Sequence, residues 1–137
     1  MVYYAVIDTN VLVSALLTRH EDASPLQVVK RLFRGDIIPL YDEEIVGEYA
    51  EVLRRPKFHF SETLIATMLQ AIITYGISVE RLITGEQLID PKDLVFYEVA
   101  MTKRDEDAYL VTGNKKHFPE KAFIVTPTEM LEIMDQK

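Results

Sequence analysis

The sequence predicts an α/β fold, a three-layer α/β/α sandwich around a central, mainly parallel sheet, because strand and helix patterns alternate along the chain. Short apolar runs rich in β-branched residues are typical of buried parallel strands. Strands that are separated by helical segments are expected to pair in parallel through right-handed crossovers. The expected strands are Val2–Ile7, Ile37–Leu40, Ile77–Val79, Tyr109–Thr112 and Phe123–Val125.

Capping residues and stop signals predict the helices between these strands. Thr126 followed by Glu129 forms the pattern of a capping box, and Ser24 followed by Gln27 indicates a second one. Gly35 is expected to end one of the helices. The expected helices are Asn10–Leu17, those that begin at Ser24, Asp42, Ser61 and Asp90 and run to about Arg34, Arg54, Tyr75 and Lys103, and a terminal one after Thr126.

Length and composition indicate one domain over residues 1–137, with 48% hydrophobic residues to build its core. The sequence has neither an apolar run of membrane-spanning length nor signal-peptide features, so we expect a cytoplasmic protein. It has no cysteine, which excludes disulfides and thiolate zinc sites. The net charge of -7 argues against a large basic surface, but it is compatible with a metal-binding cleft, which is itself acidic. The basic groups Lys30–Arg34, Arg54–Lys57 and Lys115–Lys116 are interpreted as solvated helix surface.

Three acidic residues lie where the predicted fold places ligands. Asp8 ends the first strand, and open parallel sheets bind ligands beyond the carboxyl ends of their strands. Glu48 flanks the apolar stripe of its helix, and Asp93 lies in the first turn of another helix. Each residue has a structural alternative: a helix cap for Asp8, an exposed rim acid for Glu48, and stabilisation of the helix dipole for Asp93.

Carboxylates that meet in space favour a bound cation. Two of them about 5 Å apart repel by roughly 3 kcal/mol at an effective dielectric constant near 20. Their pKa values rise unless a positive charge neutralises them. Mg²⁺ or Mn²⁺ meets that need because both prefer oxygen ligands, whereas zinc is disfavoured by the absence of cysteine and of paired histidines.

Polar residues accompany the acids at the same predicted edge of the sheet. Thr9 and Asn10 follow Asp8 directly, and Thr112 and Asn114 follow a later strand. His117 comes about one helical turn after Asn114. Each of these residues has a structural alternative: helix capping for Thr9 and Asn10, a simple turn for Thr112 and Asn114, and an ordinary surface or core position for His117.

Four segments of the chain, taken in order, resemble the motifs of the PIN-domain family. They are Asp8–Ala15, Glu48–Phe58, Asp90–Asp93 and Ala108–Asn114. The resemblance implies a compact PIN-like α/β/α fold and metal-dependent ribonuclease activity. It matches Asp8, Glu48 and Asp93 to the acidic metal-binding positions of the family, and Thr9, Asn10 and Thr112 to polar positions nearby. We therefore expect hydrolysis of RNA by metal-activated water, which leaves a 5′-phosphate and a 3′-hydroxyl.

The resemblance also suggests partners. Many bacterial members are VapC-type toxins of toxin–antitoxin pairs, which implies a protein antitoxin that covers the acidic cleft. Apart from the resemblance, apolar residues of Ser61–Tyr75 or of the terminal helix permit a twofold interface, so a homodimer is possible.

One departure from the family pattern keeps an alternative open. Many relatives carry an aspartate where this chain has Asn114 or His117. Asp107 is a weaker candidate for the missing acid, and an exposed loop position is favoured for it. The alternative function is therefore a catalytically weak or inactive PIN-fold module that binds a protein or RNA. A phosphotransferase of haloacid-dehalogenase type is set aside because Asn10 stands where it needs a second aspartate.

Overall fold

The computed structural model describes residues 1–136 and contains a five-stranded sheet in the order β3-β2-β1-β4-β5. All of its strand pairings are parallel, and β1 lies in the middle between β2 and β4. The strands are β1 (Tyr3–Ile7), β2 (Ile37–Tyr41), β3 (Ile77–Ser78), β4 (Tyr109–Val111) and β5 (Ile124–Val125). The predicted strands are therefore confirmed, and each differs from its prediction by one residue at one end. Lys137, which the single-domain expectation includes, lies outside the described residues.

The helices pack around this sheet in a three-layer α/β arrangement, which confirms the predicted fold class. The α-helices are α1 (Thr9–Leu17), α2 (Ser24–Phe33), α3 (Glu43–Leu53), α4 (Glu62–Tyr75), α5 (Leu94–Thr102) and α6 (Pro127–Asp135). Short 3-10 turns occupy Pro56–Phe58, Pro91–Asp93, Arg104–Glu106 and Lys115–His117. No helix within residues 1–136 combines the length and apolarity needed to cross a lipid bilayer.

Three of the predicted helix caps are confirmed. The Asp42 side chain accepts a hydrogen bond from the backbone N–H of Ile45, and Ser61 accepts one from Leu64. Thr126 and Glu129 form both bonds of a capping box at the start of α6. Each of these caps uses residues three positions apart, which is why the local sequence was sufficient to predict them.

The cap predicted at Ser24 is wrong. Ala23 occupies the cap position, and α2 begins at Ser24. No side chain makes a capping hydrogen bond at this end of the helix. The Ser24 hydroxyl lies 2.8 Å from the Thr128 hydroxyl in α6. The Gln27 amide donates to the Glu21 carbonyl and does not return to the cap. Contact between α2 and α6 therefore outweighs the local capping pattern.

The helix predicted to open at Asp90 begins in two stages. The Asp90 carboxylate accepts a hydrogen bond from the Lys92 N–H, as a cap should, but the first turn is the 3-10 turn Pro91–Asp93. The α-helix α5 starts only at Leu94 and ends at Thr102. The expectation of one continuous α-helix to Lys103 is therefore corrected to a 3-10 turn that leads into a shorter α-helix.

Helix α5 contributes most directly to the core. It packs on β1, β2 and β4, and it buries Phe96, Val99 and Ala100 completely, as its sequence pattern predicts. Ile7 at the end of β1 is also buried. Because the middle strand and α5 are enclosed, side chains that follow β1 emerge from a rigid part of the molecule.

A buried ion pair ties the segment after β3 to α5. Glu98 is 1% exposed and accepts hydrogen bonds from Arg81 Nε at 2.6 Å and from the Thr84 backbone at 2.6 Å. Arg81 also contacts Glu44 of α3 at 3.2 Å. Burial acts to raise the pKa of Glu98, but the bonds from Thr84 and Arg81 outweigh it and hold this pKa below its usual value. Arg81 thus links α3 to α5.

Gly76, after α4, is required by close packing. A Cβ atom at this position would overlap the carbonyl oxygens of Ile72 and Pro39. Its φ angle of -96° is open to any residue, so space, not backbone conformation, demands glycine here.

Candidate active site

The candidate site lies at the edge of the sheet where the strand order reverses. The chain moves from β1 to β2 and β3 on one side, and later to β4 and β5 on the other. Ile7 of β1 pairs with Val111 of β4, so Asp8 and Thr112 emerge side by side beyond the two strands. Such a switch point forms a crevice at the carboxyl edge of a parallel sheet.

Asp8 does not act as a helix cap through its side chain. It holds the cap position of α1, but its carboxylate makes no capping hydrogen bond. Its Oδ2 atom accepts instead from the Thr112 hydroxyl at 2.7 Å and from the Asn10 amide at 3.3 Å. Asp8 as a whole is 6% exposed. The capping interpretation of Asp8 is therefore wrong, and the residue belongs to a tertiary cluster.

Asn10 connects the two strand ends. Its Nδ2 atom donates to Asp8, and its Oδ1 atom accepts from the Gly113 N–H at 3.0 Å. A Cβ atom on Gly113 would lie 3.3 Å from Asn10 Oδ1, which is a tight contact. The Asn114 N–H donates to the Thr112 hydroxyl at 3.0 Å. These polar side chains thus hold Asp8 in one orientation and do not serve only as caps or turn residues.

The side chain of Glu48 is held by Thr9, the first residue of α1. The Thr9 hydroxyl donates to Glu48 Oε2. The next residue, Tyr49, is 1% exposed and donates its hydroxyl hydrogen bond to the Ile7 carbonyl. Glu48 is therefore half-buried, unlike the exposed Glu43 on the same helix. Tyr49 anchors α3 to the end of β1, and this role was hidden in the sequence because Tyr49 reads as part of the apolar stripe.

Asp93 faces the last pair of predicted residues. His117 Nδ1 lies 3.3 Å from Asp93 Oδ2, and His117 Nε2 lies 3.0 Å from the Asn114 amide. The 3-10 turns Pro91–Asp93 and Lys115–His117 bring these side chains together. The contact between Asp93 and His117 could not be predicted from the sequence, because it depends on how two turns are placed in space.

The electrostatics of the three acids indicate that they share one environment. Burial raises the pKa of Asp8 to about 6, against the lowering effect of Thr112, and repulsion from Asp93 and Glu48 adds to it. Burial also raises the pKa of Glu48, opposed by the bond from Thr9. Burial and Asp90 raise the pKa of Asp93, opposed by His117. The charged forms of all three acids are therefore disfavoured in the absence of a cation.

A cleft of about 510 Å³ joins these side chains. Six of the eight predicted site residues line it: Asp8, Thr9, Asn10, Glu48, Asp93 and His117. Thr112 and Asn114 are outside the lining and contact it through Asp8 and His117. Asp107 is exposed and precedes β4 at the opposite end of the strand, so the exposed-loop interpretation holds for it.

The same cleft contains residues that the sequence analysis did not assign to the site. Arg55, Phe58 and Lys92 line it beside the acids. Val52 also lines the cleft. It lies four positions after Glu48, on the same face of α3, so helical spacing from Glu48 could have predicted it. Arg55 and Lys92 bring positive charge to an acidic cleft, which suits a ligand that carries phosphate groups.

The donor chemistry of the cleft fits a hard divalent cation. Its acidic side chains offer oxygen ligands, and within residues 1–136 none of the three predicted acids pairs with a lysine or arginine. In the described part of the chain, however, no three acidic or histidine side chains already stand in an arrangement that could hold a metal ion. Glu48 and Asp93 bond to Thr9 and His117, and their mutual repulsion opposes closer approach.

Comparison with known proteins agrees with this geometry. The PIN domain matches residues 4–116, which include every predicted site residue except His117. Proteins of this family are generally metal-dependent nucleases that act on nucleic acids. A comparison with curated proteins gives no match. Because the family match covers most of the chain and the acids converge where β1 and β4 end, the chain belongs to the PIN-domain family.

Proposed function

We propose that this protein is a metal-dependent endoribonuclease that hydrolyses RNA phosphodiester bonds. The observation that carries the proposal is the convergence of Asp8, Glu48 and Asp93 on one cleft, with the pKa of each raised by burial. Acidic side chains with raised pKa values that gather in one cleft are typical of a functional site. Membership of a nuclease family supports the same conclusion.

Asp8, Glu48 and Asp93 are the residues that would hold Mg²⁺ or Mn²⁺. Such an ion, when bound, supplies a water molecule of lowered pKa and stabilises the negative charge that develops on the phosphate. The surrounding residues fix the acids: Thr112 and Asn10 orient Asp8, and Thr9 orients Glu48. Hydrogen bonds of this kind set the direction of a ligand carboxylate and strengthen its hold on a metal.

The remaining side chains of the cleft have roles toward the RNA. Arg55 and Lys92 provide positive charge for the phosphates on either side of the cleaved bond. A carboxylate of the cleft would accept a proton from the attacking water. His117, held between Asp93 and Asn114, orients a phosphate or a water. In-line attack then leaves a 5′-phosphate and a 3′-hydroxyl.

We further propose that the protein is the toxin of a toxin–antitoxin pair. The open acidic cleft supports this idea, because an arginine or lysine of an antitoxin that enters it would pair with carboxylates that have no lysine or arginine partner within residues 1–136. Helix α4 exposes Leu64, Ile73 and Tyr75, which supports self-association through that helix. Co-purification with the product of a neighbouring gene, and a mass measurement in solution, test the two ideas separately.

The test of the nuclease is a titration of Mn²⁺ or Mg²⁺ against labelled RNA, with a chelator control. Asp8→Asn should lower cleavage at least about a hundredfold, since loss of a metal ligand costs more than loss of a neighbour that orients it. The matched control is Asp107→Asn, which changes the same chemical group at an exposed position outside the cleft. Equal activity of the Asp8 variant and the wild type would overturn the proposal.

The second candidate function is a PIN-fold module that binds RNA or protein without cleavage. Two observations favour it: Asn114 and His117 replace an acid, and no metal-binding arrangement is preformed in residues 1–136. RNA binding that does not respond to a chelator, together with the absence of metal-dependent products, would select this candidate over the nuclease.

A further inference from the structure

We propose that the RNA strand leaves the acidic cleft along a groove that ends at Lys116 and Lys121, and that this groove binds single-stranded RNA beyond the cleaved bond. The proposal rests on the proposed nuclease function and names how its substrate extends. We call this path the lysine groove and define it by Ile89, Lys116, His117, Phe118, Pro119 and Lys121.

The groove is continuous with the acidic cleft because neighbouring concavities share side chains. A concavity of about 300 Å³ shares His117 with the acidic cleft. It shares Lys116, Phe118 and Pro119 with a second concavity of about 540 Å³, which Lys121 also lines. A strand whose phosphate lies at Asp8 therefore has a concave path past His117 to Lys116 and Lys121.

The charge at the far end of this path suits phosphate groups. Lys115, Lys116 and Lys121 line the larger concavity against one acid, Glu120. Lys115 is bonded to Glu129 at 3.1 Å, whereas the exposed Lys116 and Lys121 form no salt bridge within residues 1–136. The chain has a net charge of -7, but these lysines make this part of its surface locally positive. A locally positive surface suits a polyanion such as RNA.

The walls between the two ends favour a single strand over a duplex. Ile89 is 77% exposed and lines the intermediate concavity together with Pro119 and the mostly buried Phe118. Apolar side chains of this kind contact the faces of unpaired bases, whereas a duplex hides its bases and presents mainly phosphates and hydroxyls. Glu86 also lines this part, so the phosphates are expected to concentrate near the lysines.

The test compares two single-stranded RNAs, one of about four nucleotides, at the lower limit of the site sizes of single-strand grooves, and one of about twelve, well within their range. The variant is Lys116→Ala with Lys121→Ala. Its control is Lys30→Ala with Arg34→Ala, which removes the same charge from the exposed end of α2. We measure metal-dependent cleavage of both RNAs, and binding of both by fluorescence anisotropy in chelator at several salt concentrations.

The expected result is a loss that depends on RNA length. The lysine variant should cleave the short RNA as the wild type does, and should cleave the long RNA about tenfold less efficiently at subsaturating concentration. The slope of log binding constant against log salt for the long RNA should fall in magnitude by about 1.4, because two phosphate contacts are lost. The control variant should leave both RNAs unaffected.

Two other outcomes are distinguishable. If the wild type cleaves no RNA but the lysine variant still loses its affinity for the long RNA, the nuclease proposal fails and the groove stands. If the lysine variant and the control behave alike for both lengths, or if a duplex of equal length binds as tightly as the single strand, the groove proposal is overturned whatever the activity.

Discussion

The hydroxyl group of Thr112 donates a hydrogen bond of 2.7 Å to Oδ2 of Asp8, although the two residues are 104 positions apart in the sequence. The bond exists because β1 and β4 are adjacent and end at the same level. It counteracts the burial that raises the pKa of Asp8. Thr112 thus controls both the orientation and the charge of the most buried acid of the site.

Thr112→Val should therefore impair the site without removing an acid. Loss of a hydrogen bond to a buried carboxylate raises the pKa of Asp8 further and destabilises the charged form by about 1–3 kcal/mol. We expect about 10- to 100-fold weaker cleavage and an acid limb of the pH–rate profile that moves to higher pH. Thr112→Ser keeps the hydroxyl and should restore both. If the valine variant keeps the wild-type pH profile, the hydrogen bond has no role in setting the charge of Asp8.

The metal-free protein should lose stability near neutral pH because of Asp8. Its folded-state pKa of about 6 lies above the ordinary value of 3.8, so folding favours the protonated form. The contribution of Asp8 to stability is fully present below pH 3.8 and is lost as the pH rises through about 6. The difference amounts to about 3 kcal/mol.

Asp8→Asn isolates this effect. In chelator, the asparagine variant should become more stable than the wild type as the pH rises from 4 to 7, while the two converge at low pH. Urea unfolding at several pH values measures the difference in the free energy of unfolding. A constant difference across this range would show that Asp8 does not titrate with a raised pKa.

The paired glycine variants Gly76→Ala and Gly47→Ala should have opposite effects. A Cβ at position 76 overlaps two backbone carbonyl oxygens, so we expect destabilisation of at least about 2 kcal/mol. A Cβ on Gly47 meets nothing within 4 Å and lies inside α3, so alanine should stabilise by about 0.5–1 kcal/mol. Thermal unfolding of the two variants measures this, and equal shifts would contradict the packing around Gly76.

Removal of Glu98 should be costly because it leaves Arg81 without its buried partner. Glu98→Ala is expected to destabilise the protein by about 3 kcal/mol, whereas Glu62→Ala, which breaks the exposed pair with Arg54, should cost less than about 1 kcal/mol. The double variant Arg81→Met with Glu98→Leu should recover part of the loss, because it removes the unpaired Arg81 but still leaves the Thr84 N–H without its acceptor. Urea unfolding checks these values, and a double variant no more stable than Glu98→Ala would contradict the explanation.

These relationships show which parts of the molecule the sequence predicts. The caps at Asp42, Ser61 and Thr126 depend on residues three positions away, so local patterns were enough. The prediction at Ser24 was wrong because its hydroxyl binds Thr128 of another helix. Asp90 caps as predicted, but the sequence did not show that a 3-10 turn comes before α5.

The candidate site was predicted in outline for a related reason. Strand-end residues of a parallel sheet share one edge, which brought Asp8 and Thr112 into a single hypothesis. The sequence pattern did not predict the order of the strands in the sheet. It therefore could not predict the hydrogen bond between Thr112 and Asp8 or the contact of Asp93 with His117. The ion pair of Glu98 with Arg81 was not predicted, because a charged residue inside an apolar helix pattern does not indicate which distant residue it contacts.

The bond from Tyr49 to the Ile7 carbonyl has a practical consequence. Helix α3 is fastened to the sheet by Tyr49, while its neighbour Glu48 faces the cleft, so the fastening and the acidic group belong to different side chains. Glu48→Gln therefore alters the charge of the cleft and leaves the scaffold in place. Such a variant is suited as a bait: expressed in living cells and cross-linked by ultraviolet light, it would retain the transcripts on which the proposed ribonuclease acts.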